Sequence, residues 1–164
     1  MGGVPIRREG SPRLAEMVND IRISIADAVS ESDLARLASL LPQLSSSATF
    51  DTDRIRALTA ARDCDLFVAR ISGRIVGMAT LVSLPLVTGR RGIVEDVVVD
   101  QEVRGRGVAR LLLEALIGES SRRRLHTLDL TSRPSRASAL RLYETLGFER
   151  RETNVLRLIP PAAE

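Results

Sequence analysis

The sequence predicts an α/β (α+β) fold, one mixed central sheet of six to seven strands with helices on both faces. Three observations carry this. Short β-branched runs alternate with stretches of helical apolar period along the chain. Two strands meet at Ser72-Gly73, a tight-turn signal that makes them a hairpin. The later strands are each followed by a helix, and such pairs make the sheet mixed and cover its faces.

Residues 1–19 carry Gly, Pro, Arg and Ser without sustained periodicity and read as an irregular N-terminal arm. Ile21, Ile23 and Ile25 alternate with other residues, a first strand. Ser30 or Ser32 caps a helix with Leu34, Leu37, Ala38 and Leu41 on one face. Ser45 to Ser47 form a loop, and Asp51 or Thr52 caps a short second helix carrying Ile55 and Leu58. Leu66 to Ile71 and Ile75 to Leu84 are the hairpin strands. Pro85 to Gly92 reads as a loop, and Ile93 to Val99 as a buried strand.

Val108, Leu111, Leu112, Ala115 and Leu116 follow at helical spacing, with Gly118 as the expected stop. Leu125 to Leu130 is a strand. Ser135 to Leu146 is a helix ended by Gly147. Phe148 and Thr153 to Ile159 supply terminal strand material, and residues 160–164 form a tail. No linker or repeat divides residues 20–159, so they are expected to form one domain.

Composition narrows the function. At 164 residues with 44% hydrophobic and 27% charged residues, the chain is an ordinary globular domain with a real core. Cys64 is the single cysteine, which excludes an intramolecular disulfide. No apolar stretch is long enough for a membrane span, and Arg7, Arg8 and Glu9 interrupt any signal-peptide core. A cytoplasmic location is the expectation, with no membrane partner. All 24 basic residues are arginine, so a net charge of only +3 suffices to carry the isoelectric point high. With no tryptophan, one tyrosine and 2% aromatics, a nucleic-acid stacking platform is not expected. No His/Cys/Asp cluster has metal-ligand spacing, and no metal is expected.

The stretch Val97-Val98-Val99-Asp100-Gln101-Glu102-Val103-Arg104-Gly105-Arg106-Gly107-Val108-Ala109 carries the chemistry. A buried strand ends, a glycine-rich turn follows, and a helix begins. The first amides of a helix lack intrahelical acceptors, and its dipole adds positive charge there. Gly105 and Gly107 permit close backbone approach, and Arg104, Arg106 and Arg110 raise the local potential. The turn suits a phosphate or pyrophosphate. It lacks the Lys-Ser/Thr ending of a Walker A loop and the third glycine of a dinucleotide fingerprint. By spacing alone, an ordinary strand–helix turn with solvated arginines stays open.

Arg104-x-x-Gly107-x-Ala109 resembles the Arg/Gln-x-x-Gly-x-Gly/Ala signature of the GNAT superfamily of acetyl-CoA-dependent N-acetyltransferases. Ala139 through Phe148 is similar to that superfamily's downstream segment. The resemblance spans roughly residues 20–159. It implies acetyl-CoA as cosubstrate. It also implies that backbone groups of Val97, Val98 and Val99 bind the pantetheine arm. Amides of Arg104, Gly105, Arg106, Gly107, Val108 and Ala109 would hold the pyrophosphate. Strands 93–99 and 125–130 would splay apart to admit the thioester, with Tyr143 near the sulfur. Arg136 stands where many relatives carry Asn; Arg136 and Arg133 then contact either the cofactor's phosphates or ribose, or only solvent.

Direct transfer needs a base for the amine and an acid for the leaving thiolate. Tyr143 is the only phenol, and its ordinary pKa of ~10 exceeds a thiol's ~8.5. The other reading of Tyr143 is a half-buried helix tyrosine. Strand alternation places Glu95 with Ile93, Val97 and Val99, and Asp96 with Val94 and Val98. Carboxylates inside an apolar strand are either used or paired, here with Arg90 or Arg91. Glu95 ranks first as base, Asp96 second and Asp129 third. Glu95 through Asp100 also resembles a strand of glucosamine-6-phosphate N-acetyltransferases, where the acidic pair lies at the acceptor site. His126 and Cys64 read as bland, and Arg122-Arg123-Arg124 as a solvated helix-end run.

The expected function is transfer of an acetyl group from acetyl-CoA to a primary amine of a small molecule. The alternatives are acetylation of a protein or peptide amine, and a non-catalytic acyl-CoA sensor. Members of the superfamily often pair through their late strands, so a homodimer is the expectation.

Overall fold

The computed structural model describes residues 20–161, so the expected arm at 1–19 and the end of the tail lie outside the described residues. The chain falls into two compact units, one ending at Thr131 and the other beginning at Ser132.

The first unit is a single open sheet in the order β1-β2-β3-β4-β5. Strand β1 (Ile21–Ile25) pairs antiparallel with β2 (Cys64–Ile71). β2 turns through Ser72 and Gly73, both at positive φ, into β3 (Arg74–Leu86). β3 pairs antiparallel with β4 (Gly89–Val99), and β4 pairs parallel with β5 (Thr127–Leu130). The sheet is mixed, as expected.

Between β1 and β2 lie α1 (Glu31–Leu44) and α2 (Thr52–Ala60). Ser30 starts α1 with a capping box. Its hydroxyl accepts from the Asp33 amide at 3.2 Å, and its own amide donates to the Asp33 carboxylate at 3.2 Å. Asp51 starts α2 by accepting from the amides of Asp53 and Arg54, both at 3.0 Å. Leu37 and Leu40 of α1 are buried with Leu66, Val68, Met78 and Val98, while Ile55 and Leu58 of α2 pack on that cluster.

Helix α3 (Val108–Arg122) covers the opposite face. Gly77 makes this close: a Cβ there would meet the Val98 carbonyl at 3.1 Å and side chains of Leu112 and Val108 at 3.3 Å. Leu112, Leu113 and Leu116 are completely buried.

Four expectations are corrected. Pro85 to Gly92 is not a loop: β3 and β4 form a tight hairpin in which Pro85 pairs with Arg90 and Leu86 with Gly89. Proline is tolerated at this exposed end of the ladder. Gly118 does not stop α3. A mid-helix glycine costs only ~1 kcal/mol relative to alanine, and burial of Leu116 and Ser120 on either side outweighs it.

The sheet has five strands among the described residues, not six to seven. Residues 149–161 carry no strand, and Val155, Leu156, Leu158 and Ile159 are exposed. Their β propensity is real, but a strand is held by ladder bonds to a partner and not by propensity.

The arginine run is also not simply solvated. Arg123 Nη2 lies 2.7 Å from both carboxylate oxygens of Asp65, and its Nε donates to Glu119 at 2.7 Å. This mostly buried cluster clamps the end of α3 to β2. The second unit contains α4 (Ala137–Thr145), followed by the irregular segment.

Candidate active site

β4 and β5 pair only from Arg91–Thr127 to Val94–Leu130. β5 ends there, while β4 runs on to Val99. Beyond Val94 the β4 backbone therefore has no ladder partner in β5. The side chain of Val98 is buried in the core, whereas Val97 and Val99 are half-buried. The Val99 carbonyl accepts from Arg104 Nε at 3.1 Å.

After Val99, Asp100 is buried and caps a short turn at Gln101–Val103 through the Glu102 amide. Arg104 is exposed and also reaches Gln43 of α1, which accepts from the Gln101 amide at 2.9 Å. Gly105 and Gly107 then sit at φ +78° and +81°, with open space where a Cβ would stand. Gly107 is the N-cap of α3. No side chain caps this start, and its first turn holds no acidic residue. The leading amides and the dipole of α3 are thus left for an exogenous anion. The residues fit a pyrophosphate: backbone donors, two glycines permitting approach, and half-buried Arg106 beside them.

The two strand carboxylates part company through a β-bulge. Thr80 of β3 pairs with Glu95 and Met78 with Val98, so Ala79 alone faces Asp96 and Val97. Asp96 adopts φ +54°, a conformation aspartate tolerates better than most residues. The bulge breaks the alternation expected across Ile93–Val99, so Glu95 and Val97 do not share a face. It aims Asp96 into a groove of about 350 Å³ between α1, the 45–51 loop, α2 and the sheet. Thr80 and Met78 form part of the floor, and Leu41 and Phe50 part of the walls.

Asp96 is exposed, as Glu95 is, yet the part of its carboxyl that is buried against the groove pushes its pKa up from the ordinary value. Neither Arg90 nor Arg91 bonds it: Arg90 pairs with Asp63 at 3.4 Å. Glu95 is exposed and is not among the residues lining the groove. Asp129 accepts from the Thr127 hydroxyl at 3.2 Å on β5.

In the second unit, Tyr143 lies on α4 with its ring edge-on to Phe148, centroids 6.0 Å apart. Burial raises its pKa, against the opposing charge of Arg136. Arg136 is the exposed N-cap residue of α4, and Arg133, also exposed, accepts from its amide at 3.0 Å. Among the described residues no group of three His, Cys, Asp or Glu could hold a metal ion. None of their helices is long and apolar enough to cross a membrane.

Thr80, Met78 and the Arg36–Asp100 pair were not legible as site residues. Their roles depend on strand register and helix packing rather than on any local pattern. Residues 44–50, expected from the sequence to bear on acceptor choice along with 85–92 and 148–159, contribute Leu44, Ser45, Ala48, Thr49 and Phe50 to the groove lining.

Residues 34–148 match the Acetyltransferase (GNAT) family. A [ribosomal protein bS18]-alanine N-acetyltransferase of Salmonella typhimurium is 42% identical over 69 residues, which are 42% of this chain. The match spans 45% of that relative's length, less than half of it. A crystal structure of a Trypanosoma brucei acetyltransferase superimposes with a TM-score of 0.71 at 28% identity, covering 85% of this chain and all of that one. An aminoglycoside acetyltransferase from a soil metagenomic sample shares the fold, with a TM-score of 0.73 at 18% identity, covering 88% of this chain and 98% of that one.

Proposed function

This chain belongs to the GNAT family of acetyltransferases, and from that premise we propose that it moves an acetyl group from acetyl-CoA to the primary amine of a small molecule by direct attack. The observation that carries the reading is the open edge of β4. Past Val94 it leaves β5 behind and leads, within a few residues, to the uncapped Gly105–Gly107 start of α3. A free strand edge can pair with an extended amide-bearing arm, and the helix start with the diphosphate at that arm's end.

In this reading acetyl-CoA supplies the activated acetyl group. Backbone groups of Val97 and Val98 align the arm. Arg104's hold on the Val99 carbonyl is exchanged for it. Amides from Gly105 to Ala109 hold the pyrophosphate. Asp96 is the better base than Glu95, because it is the carboxylate that enters the groove. Its raised pKa strengthens it as a proton acceptor. The acceptor nitrogen loses its proton towards Asp96, directly or through water, and forms the new C–N bond. As the C–S bond breaks, the thiolate takes a proton from Tyr143. That phenol, protonated at neutral pH by its ordinary pKa of ~10, is held further from ionisation by burial.

The test is equilibrium binding of acetyl-CoA together with thiol release in the presence of amines. Binding accompanied by amine-dependent thiol release supports the proposal. Binding without release on any amine would overturn it in favour of an acyl-CoA sensor.

A further inference from the structure

The groove that receives Asp96 also restricts what kind of amine can enter it. Its walls are dominated by aliphatic and aromatic carbon, with Leu41, Leu44, Phe50, Ile55, Leu58 and Met78 contributing. Its polar side chains are Ser45, Thr49, Asp51, Arg54, Thr80 and Asp96, the minority of the lining. Asp51 is committed to the amides of Asp53 and Arg54, and the Arg54 guanidinium lies 3.5 Å from its carboxylate. Those two charges largely answer each other. Thr80 is 3% exposed, at the floor. Asp96 is left as the groove's carboxylate without an arginine partner among the described residues.

Three acceptor chemistries meet this groove differently. An amino sugar would press several hydroxyls against leucine and phenylalanine, and each hydroxyl buried without a partner is costly. A polyamine or aminoglycoside brings several ammonium groups to a groove in which Asp96 is the one carboxylate without an arginine partner among the described residues. An amine with a single nitrogen and an apolar body places its ammonium against Asp96 and its carbon against the walls. Both interactions are then satisfied. The volume, about 350 Å³, is at the small end of the ~300–1,000 Å³ usual for ligand clefts.

We propose that the acceptor is a primary monoamine with an aliphatic or aromatic body, selected by the carbon walls around Phe50 and oriented by Asp96. This rests on the acetyltransferase reading above and narrows its substrate class.

The full chain is assayed for thiol release from acetyl-CoA with 2-phenylethylamine, isoamylamine, spermidine, glucosamine, kanamycin and a hexapeptide beginning with alanine. The expected result is a kcat/KM for the two apolar monoamines at least about 10-fold above the others, the discrimination a hydrophobic pocket supplies for one or two carbon contacts. Phe50→Ala is expected to raise KM for 2-phenylethylamine about 10-fold with a much smaller change in kcat. Phe50→Leu, a milder change, is expected to raise it less. A purely structural role for Phe50 would instead lower the active fraction, and so kcat, with KM unchanged.

Preference for spermidine, glucosamine or kanamycin overturns the substrate class and leaves the acetyltransferase reading standing. So does turnover confined to the peptide. Acetyl-CoA binding with no thiol release on any of the six overturns the acetyltransferase reading and this proposal with it.

Discussion

Arg36 of α1 holds Asp100 at 2.6 Å through Nη2 while its Nε donates to the Ile75 carbonyl at 3.0 Å. One guanidinium thus ties a groove helix to β3 and to the residue that ends β4 and starts the glycine turn. Gln43, two turns further along α1, adds bonds to the Gln101 amide and Arg104. The wall of the groove and the glycine turn are therefore fastened to each other.

Replacing Asp100 tests that fastening. Its side chain is 7% exposed, and removing one partner of a buried pair costs ~3–5 kcal/mol. Asp100→Ala is expected to lower Tm markedly, by ~2–4 °C per kcal/mol for a chain of this size. It is also expected to raise KM for acetyl-CoA. Calorimetric melting and a saturation curve check both.

Acid should erode stability through the same kind of group. Burial works against ionisation of Asp100, but hydrogen bonds from Arg36 and the Glu102 amide hold its pKa below the ordinary value. A hydrogen bond from Arg70 lowers Asp33, and one from Arg122 lowers Glu119. A folded pKa below the unfolded one gives stability that is present above the unfolded values of 3.8 and 4.5. It is lost as pH falls through the folded ones. Urea midpoints measured from pH 7 down to pH 2.5 should fall with acid. Asp100→Asn should flatten the slope.

Asp96 carries the opposite sign. Its folded pKa is raised, so its ionisation opposes folding as pH rises through that value. Asp96→Asn keeps the shape, and asparagine accepts the positive φ of the bulge. The variant is expected to melt no lower than wild type at pH 7 while kcat/KM falls by ~10²–10⁴. The acidic limb of the pH–rate profile should move or vanish. An unchanged rate and profile would remove Asp96 from the mechanism. The same measurement on Glu95→Gln should show a much smaller loss.

Tyr143→Phe removes one hydroxyl and leaves the edge contact with Phe148. Thiol release is expected to fall at least ~100-fold, with acetyl-CoA binding retained. Because burial raises the phenol's pKa, the basic limb of the wild-type profile should lie at or above the usual ~10. Full activity in the variant would dismiss Tyr143 as the acid.

Gly107→Ala places a Cβ at φ +81°, which costs roughly 1–2 kcal/mol of backbone strain. Space there is open, so no side chain is displaced. A Tm lower by several degrees and a weaker Kd for acetyl-CoA in titration calorimetry are expected. The added methyl also stands where the diphosphate must approach.

By itself the sequence determined what depends on local pattern. Period-2 and period-3.6 apolar residues marked β1 to β5 and the helices, and two helix starts were narrowed to Ser30 or Ser32 and Asp51 or Thr52, of which the structure uses Ser30 and Asp51. Gly105 and Gly107, set between a buried strand and an apolar helix, marked the turn that starts α3. These signals are local because dihedral preference and side-chain periodicity are properties of a few neighbouring residues. Tertiary structure alone decided the rest. The bulge that turns Asp96 into the groove exists because β3 and β4 are out of step by one residue, a property of the pair. Arg123 is mostly withdrawn from solvent because α3 ends beside Asp65, more than fifty residues away in sequence. The 153–159 run was strand-like in composition yet forms no strand, since ladder bonds come from a partner and not from the segment that needs one.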